Sequence, residues 1–143
     1  MDPLYTAVAT ARGDGRNGEV TSSDGVIDER LAVPEEMGGP GGEMSNPEQL
    51  FAAGYAACFH SALQVVARKA DVALGSSTVT AEVGIGRNGG GESGGLDLAV
   101  KLIAHLPGLD QDRAGELAAQ AHQVCPYSRA TRGNIQVEVT ATT

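Results

Sequence analysis

The chain has two cysteines, Cys58 and Cys125. A thiolate is a nucleophile, a metal ligand and a redox centre, whereas a thiol held neutral is none of these, so the surroundings decide the chemistry. Cys58 lies in the middle of the apolar stretch NPEQLFAAGYAACFHSALQVVARK, residues 46–69. Burial there raises the thiol pKa and leaves it inert, so taken singly Cys58 reads as a small core side chain. Cys125 stands in VCPYSRATRGN, beside Pro126. A cysteine at a helix end next to a proline-imposed break sits where backbone moves, as making and reducing a disulfide requires. Spacing alone leaves three readings open: a redox pair formed across two packed helices, a metal site, and two unconnected core thiols.

The metal reading lacks paired ligands. Cys58 and His60 are two residues apart, and only His122 and Cys125 share a helical separation of three or four, so four ligands would need residues with no paired spacing. His105 falls at or just beyond a strand end, and each histidine reads first as surface or core. A cysteine-protease arrangement is equally weak, because His60 points about 200° away from Cys58 around one helix. A thiolate at Cys58 needs a cationic partner. Arginine suits because it keeps its charge and can hold a substrate oxygen at the same time. Arg16, in the turn GDGRNG, is a candidate, with Arg129 and Arg132 competing; each also reads as an ordinary surface arginine. Glu48 reads first as a carboxylate set against the positive end of a helix.

Residues 46–69 are the element that must position Cys58. Asn46 can cap the free backbone N–H groups, Pro47 fits the first helical position, and Glu48 complements the dipole. From Leu50 to Val66 no continuous polar face appears, which predicts a helix covered on most sides. A membrane span would need roughly 20 apolar residues with few polar interruptions, and Gln49, His60, Ser61 and Gln64 argue against one. A second helix is predicted from the cap at Asp110 to Cys125, where Pro126 ends it. Strands are predicted over residues 4–11, 19–23, 26–33, 78–87, 96–106 and 135–140 from period-two alternation. Gly-rich stretches at 37–45 and 88–95 read as loops, the second a flexible hairpin loop, NGGGESGG. The phosphate-loop reading of GGPGG fails, since no Lys followed by Ser or Thr comes after it. Three strands, a helix, two strands, a helix and a strand imply an α+β fold, with two long helices laid on a mostly antiparallel sheet.

Composition sets the bounds. The 143 residues suit a single domain, 1–143, with its core built mostly from Ala, Val and Leu, since aromatics make up only 3% and Trp is absent. Glycine, at 20 residues, is about twice its usual usage. A net charge of −8 excludes a nucleic-acid groove or an anionic membrane surface, both of which require clustered Lys and Arg. MDPLYTAVAT lacks the charged and apolar regions of a secretory signal, so a cytoplasmic location is expected.

NPEQLFAAGYAACFHSAL together with VCPYSRATRGN resembles the organic hydroperoxide resistance branch of the OsmC-like proteins. The similarity runs over nearly the whole chain, including GDGRNG, the SSDG behind it and EEMGGPGG. The resemblance implies an OsmC-like fold, an intertwined homodimer with sites at the interface, and a thiol peroxidase that reduces organic hydroperoxides to alcohols without metal, flavin or other cofactor. In that family the first cysteine, here Cys58, is peroxidatic and becomes a sulfenic acid, which the second, here Cys125, resolves as an intramolecular disulfide. The family's active-site arginine and glutamate match Arg16 and Glu48: Arg16 would lower the Cys58 pKa and polarise the peroxide, and Glu48 would orient Arg16. Lipoylated proteins, or dihydrolipoamide, would reopen the disulfide by exchange. Phe51, Tyr55 and Phe59, with Met37 and Met44, could line an apolar approach for an alkyl or fatty-acid hydroperoxide.

Ten residues separate Glu48 from Cys58, about 15 Å along a straight helix. Direct contact would require a bent helix; an extended Arg could bridge much of the gap, and a bend near Gly54 or a Glu48 donated by a partner chain would serve better. The competing functions are an OsmC-type peroxidase with another peroxide preference, a non-catalytic thiol redox sensor, and a structural domain with inert thiols.

Overall fold

The computed structural model describes residues 1–89 and 94–143. They form two compact units, Met1–Leu50 and Phe51–Thr143.

The first unit holds an antiparallel sheet of β1 (Ala9–Arg12), β2 (Glu19–Ser22) and β3 (Asp28–Arg30), in that order. The turn between β1 and β2 is tight because Gly13 and Gly15 take φ of 78° and 56°, a region that side chains with a Cβ rarely enter. Both outer strands are shorter than their patterns predict. Past β3, Leu31 forms an isolated parallel bridge to Ser45 and its N–H bonds to the Gly18 carbonyl at 2.8 Å, and it is buried together with Ala32. The alternation over residues 4–11 implies a half-buried first strand, and the structure corrects this: every residue of β1 is exposed, as are Tyr5 and Ala7. As an edge strand with little more than Ala and Thr to offer, β1 has too little apolar surface to drive its own burial.

The second unit is organised on α1 (Pro47–Lys69), whose first turn belongs to the first unit. The predicted cap is present, Asn46 Oδ1 accepting from the Gln49 N–H at 2.8 Å. The helix runs unbroken through Gly54. Then follow β4 (Thr78–Arg87), β5 (Leu96–His105), α2 (Gln111–Val124), α3 (Pro126–Thr131) and β6 (Gln136–Thr142). Asp110 caps α2 by accepting from the Arg113 N–H at 2.9 Å. β4 and β5 pair antiparallel along their full lengths. Residues 90–93 of the predicted loop between them lie outside the described residues. β6 pairs with β5 in parallel, so this sheet is mixed. The chain returns to β6 through two helices, the long crossover that a parallel neighbour needs.

The core of this unit packs Tyr55, Phe59, Leu63 and Val66 of α1 against Leu117 and Ala121 of α2 and Val100, Leu102 and Ala104 of β5. The predicted alternation of β5 is borne out from Leu98 inward, while Leu96 is exposed. Coverage of α1 on most sides is borne out as well, with one stripe left open. Ala53, Ala57, Ser61 and Val65, four residues apart, are exposed along one face, and their mostly small side chains leave little apolar area in water. By length and composition α1 is apolar enough to cross a membrane, but Tyr55, Phe59 and Leu63 have no exposure at all, as in the core helix of a globular unit.

Candidate functional site

The predicted site residues fall into two groups, each built from local chemistry. In the second unit, α2 stops at Val124 because Pro126 keeps Cys125 out of helical geometry, with φ −61° and ψ 125°. The Cys125 N–H still bonds to the Ala121 carbonyl at 2.9 Å, and its own carbonyl accepts from the Arg129 N–H at 3.0 Å. Cys125 is thus the hinge shared by two helices. α3 was not expected from the sequence. Pro126 both ends α2 and opens α3, where a missing N–H costs nothing.

This elbow sets the Cys125 Sγ 3.7 Å from the Cys58 Sγ. Both thiols are free, and a disulfide would require closing that gap to about 2.05 Å. Their burial is the reverse of the simple expectation: Cys125 is fully buried, whereas Cys58 keeps some exposure. Burial still pushes the Cys58 pKa above its ordinary value; the Tyr127 N–H opposes the rise and the adjacent Cys125 thiol adds to it.

In the first unit, Arg16 sits in a short 3-10 turn, Gly15–Asn17. Asn17 pins this turn, its Oδ1 accepting from the Val33 N–H at 2.9 Å. Arg16 donates from Nη1 to Glu48 Oε2 at 2.9 Å and from Nη2 to Oε1 at 2.8 Å. This two-point fork fixes the guanidinium plane as a single contact would not. It is made within one chain. The Glu48 side chain is 12% exposed and that of Arg16 38%. The Arg16 hydrogen bonds hold the Glu48 carboxyl below its usual range against the opposing effect of burial, and Glu48 in turn raises Arg16.

The apolar candidates are scattered. Phe51 and Tyr55 pack edge to face at 5.8 Å between ring centroids, and both meet Tyr127, at 6.1 and 5.6 Å. Tyr127 was missed in the sequence, although its place two residues after Cys125 was the available signal. Its ring lies over Gly54, where a Cβ would come within 3.1 Å of the phenol oxygen. Phe59 is wholly buried, while Met37 and Met44 are exposed in the first unit. His60 bonds Ser77 at 2.9 Å, His105 bonds Thr142 at 3.0 Å, and His122 bonds Ser128 at 2.9 Å. Arg132 donates to the His122 carbonyl, and Arg129 is exposed. Among the described residues no three His, Cys, Asp or Glu side chains converge as metal ligands would.

The α+β fold and the paired thiols define the class, and comparison with known proteins agrees: residues 39–140 match the OsmC-like protein family, to which the chain belongs. The relatives at about half identity place it in the organic hydroperoxide resistance group. The chain is 50% identical over 138 residues to an organic hydroperoxide resistance protein of Xanthomonas axonopodis pv. citri, covering 96% of this chain and 94% of that one. The crystal structure of an organic hydroperoxide resistance protein from Elizabethkingia anophelis superposes with a TM-score of 0.91 at 50% identity, over 100% of this chain and 99% of the other. One from Legionella pneumophila gives 0.90 at 47% identity, over 99% and 100%.

Proposed function

We propose that the protein is a cytoplasmic thiol peroxidase, its 143 residues acting as one catalytic domain, which reduces alkyl or fatty-acid hydroperoxides to alcohols. The observation that carries this reading is the 3.7 Å approach of the Cys58 sulfur on α1 to the Cys125 sulfur at the α2–α3 hinge. The Cys58 thiolate attacks the distal peroxide oxygen, the alcohol leaves, and Cys58 becomes a sulfenic acid. The Cys125 sulfur then displaces hydroxide, which departs as water, and the disulfide closes. A lipoylated protein or dihydrolipoamide reopens it by thiol exchange, becoming the oxidised dithiolane.

Burial works against the Cys58 thiolate, so a charge has to be supplied. Arg16 is assigned that part, together with polarising the peroxide, and Glu48 is assigned its orientation. The fork between them supports a guanidinium with a fixed direction. Phe51, Tyr55, Phe59, Met37 and Met44 are assigned to the apolar approach. The protein is proposed to be a homodimer, a reading supported by the exposure of Leu4, Tyr5, Val8, Val26 and Ile27, apolar side chains that a second chain would cover. The names of the relatives support the substrate class.

The test is turnover of an organic hydroperoxide with dihydrolipoamide, with hydrogen peroxide compared at equal concentration. Preference for the organic peroxide is expected. Equal efficiency would favour an OsmC-type peroxidase of broader preference, and thiol oxidation without turnover would favour a redox sensor.

A further inference from the structure

Beside the two cysteines lies a chain of buried polar groups that the chemistry above does not use, Tyr55 being assigned there through its ring and entering here through its hydroxyl. The Tyr55 hydroxyl donates to Ser128 Oγ at 3.0 Å and meets Thr131 Oγ1 at 3.1 Å; Ser128 Oγ in turn meets His122 Nδ1 at 2.9 Å. Tyr55 and Ser128 have no exposure and Thr131 has 7%. Thr131 Oγ1 donates its proton to the Tyr127 and Ser128 carbonyls. Arg132 ties the far end by donating from Nη2 to the His122 carbonyl at 2.6 Å.

Burying three hydroxyls in an apolar core is unfavourable unless each is bonded, and here each is. Their placement brackets the thiols. Tyr55 is three residues before Cys58 on α1, so the two are neighbours on the helix surface. His122 is three residues before Cys125, at the end of α2, and Ser128 is three after it, in α3. A single hydroxyl, that of Ser128, therefore joins α1, α2 and α3 around the Cys125 hinge. Without it, the Arg132–His122 tie and the Tyr55–Thr131 contact would remain, but each joins only two elements, and no directional hydrogen bond from one side chain would meet all three helices.

We propose that the Tyr55–Ser128–His122 chain is a positioning clamp, which holds the Cys125 sulfur within closing distance of Cys58 and thereby sets how fast the sulfenic acid is resolved. This deepens the peroxidase reading and rests on it. The clamp controls a partition. Cys58 sulfenic acid plus the Cys125 thiol gives the disulfide and water. The same sulfenic acid plus a second hydroperoxide gives Cys58 sulfinic acid and alcohol, which a dithiol does not reverse. A sulfur held near its target favours the first branch, because it acts at a high effective concentration.

The experiment reads that partition by intact mass and peptide mapping. Reduced wild type, Ser128→Ala, Tyr55→Phe and Ser128→Thr are exposed to increasing alkyl hydroperoxide, and the ratio of disulfide to sulfinic acid is measured. The ratio is independent of how fast the first step runs. Ser128→Ala removes the contacts to Tyr55 and His122, and Tyr55→Phe those to Ser128 and Thr131; each is expected to lower the hydroperoxide concentration giving equal amounts of the two products by about tenfold or more. Ser128→Thr, which keeps the hydroxyl, should restore the wild-type ratio. Natively folded Ser128→Ala and Tyr55→Phe proteins, judged by circular dichroism, that partition as wild type does would overturn the clamp.

A parallel arm uses a diazenedicarboxamide oxidant: one thiol adds to it, and the other displaces the adduct, closing the disulfide and releasing the hydrazine. Slow closure in Ser128→Ala and Tyr55→Phe against fast closure in wild type is expected, and equal rates would overturn the clamp. This arm needs no peroxide chemistry. Wild type that closes with the diazene but ignores hydroperoxide would refute the peroxidase reading and leave the clamp standing.

Discussion

The sharpest constraint at the scale of single residues is that the two thiols differ in surroundings while sitting 3.7 Å apart. Cys58 has some access to solvent and Cys125 has none, so an incoming oxidant meets Cys58 first. With a lipoyl dithiol as reductant, Cys58→Ser should show no turnover of an organic hydroperoxide. Cys125→Ser should consume roughly one oxidising equivalent and then stall, because no resolving thiol remains. A coupled assay of peroxide consumed per chain separates the two outcomes. The Arg16–Glu48 fork makes a different prediction. The folded-state pKa of Glu48 lies below its ordinary value of 4.5, so the stabilisation is fully present above that value and is lost as pH falls through the depressed one. Allowing for solvent around the part-exposed guanidinium, it is worth about 1 kcal/mol. Thermal melts of wild type should fall more steeply than those of Glu48→Gln on acidification from about pH 6 to about pH 3. Parallel curves would mean that the fork adds nothing to stability.

Both cysteines were legible as candidates because the type is scarce and chemically distinct, whereas Arg16 competed with Arg129 and Arg132, Glu48 read first as a helix-start carboxylate, and the family resemblance alone gave those two their roles. Tyr127, Ser128 and the buried hydroxyl chain were not legible. Tyr55 and Ser128 are 73 residues apart, and no periodicity in a single sequence records which hydroxyls meet across helices.

At the scale of elements, caps and breaks were the legible part. Asn46, Pro47 and Asp110 marked helix starts, and Pro126 marked the end of α2, since each acts on backbone within a few residues of itself. Asn46→Ala should lower stability by about 1 kcal/mol, read as a shift in a urea midpoint at constant slope. What escaped was anything decided by neighbours: the parallel seat of β6, the short helix after Pro126, and the open face of α1. Gly54 tests the packing of α1. An alanine there gains helix propensity worth up to about 1 kcal/mol, but its Cβ meets the Tyr127 ring at 3.1 to 3.3 Å. Tyr127 is 39% exposed, so the ring can swing outward. Gly54→Ala should therefore melt no lower than wild type while changing tyrosine fluorescence. A lower melting temperature would mean that the ring is fixed.

At the scale of the whole molecule, the α+β class followed from the order of elements, but the division into two units did not. The first unit carries its exposed apolar side chains near the N-terminus, and α1 carries a separate uncovered face in the second. Neither was visible in an alternation that seemed to promise burial within the chain. The homodimer reading is checked by light scattering coupled to size exclusion: the mass of two chains is expected, and the mass of one at micromolar concentration would refute it.

The central claim is that Cys58 takes the peroxide oxygen and Cys125 completes a disulfide. Its most direct test is to mix fully reduced protein with one equivalent of an alkyl hydroperoxide, block free thiols, digest without reductant and map the peptides by mass spectrometry. One cross-linked peptide pair joining Cys58 to Cys125 is expected in the wild type, a sulfenic acid trapped at Cys58 in Cys125→Ser, and unreacted peroxide with Cys58→Ser. Peroxide consumed equally by Cys58→Ser, or a wild type whose two thiols remain free while peroxide persists, would contradict it.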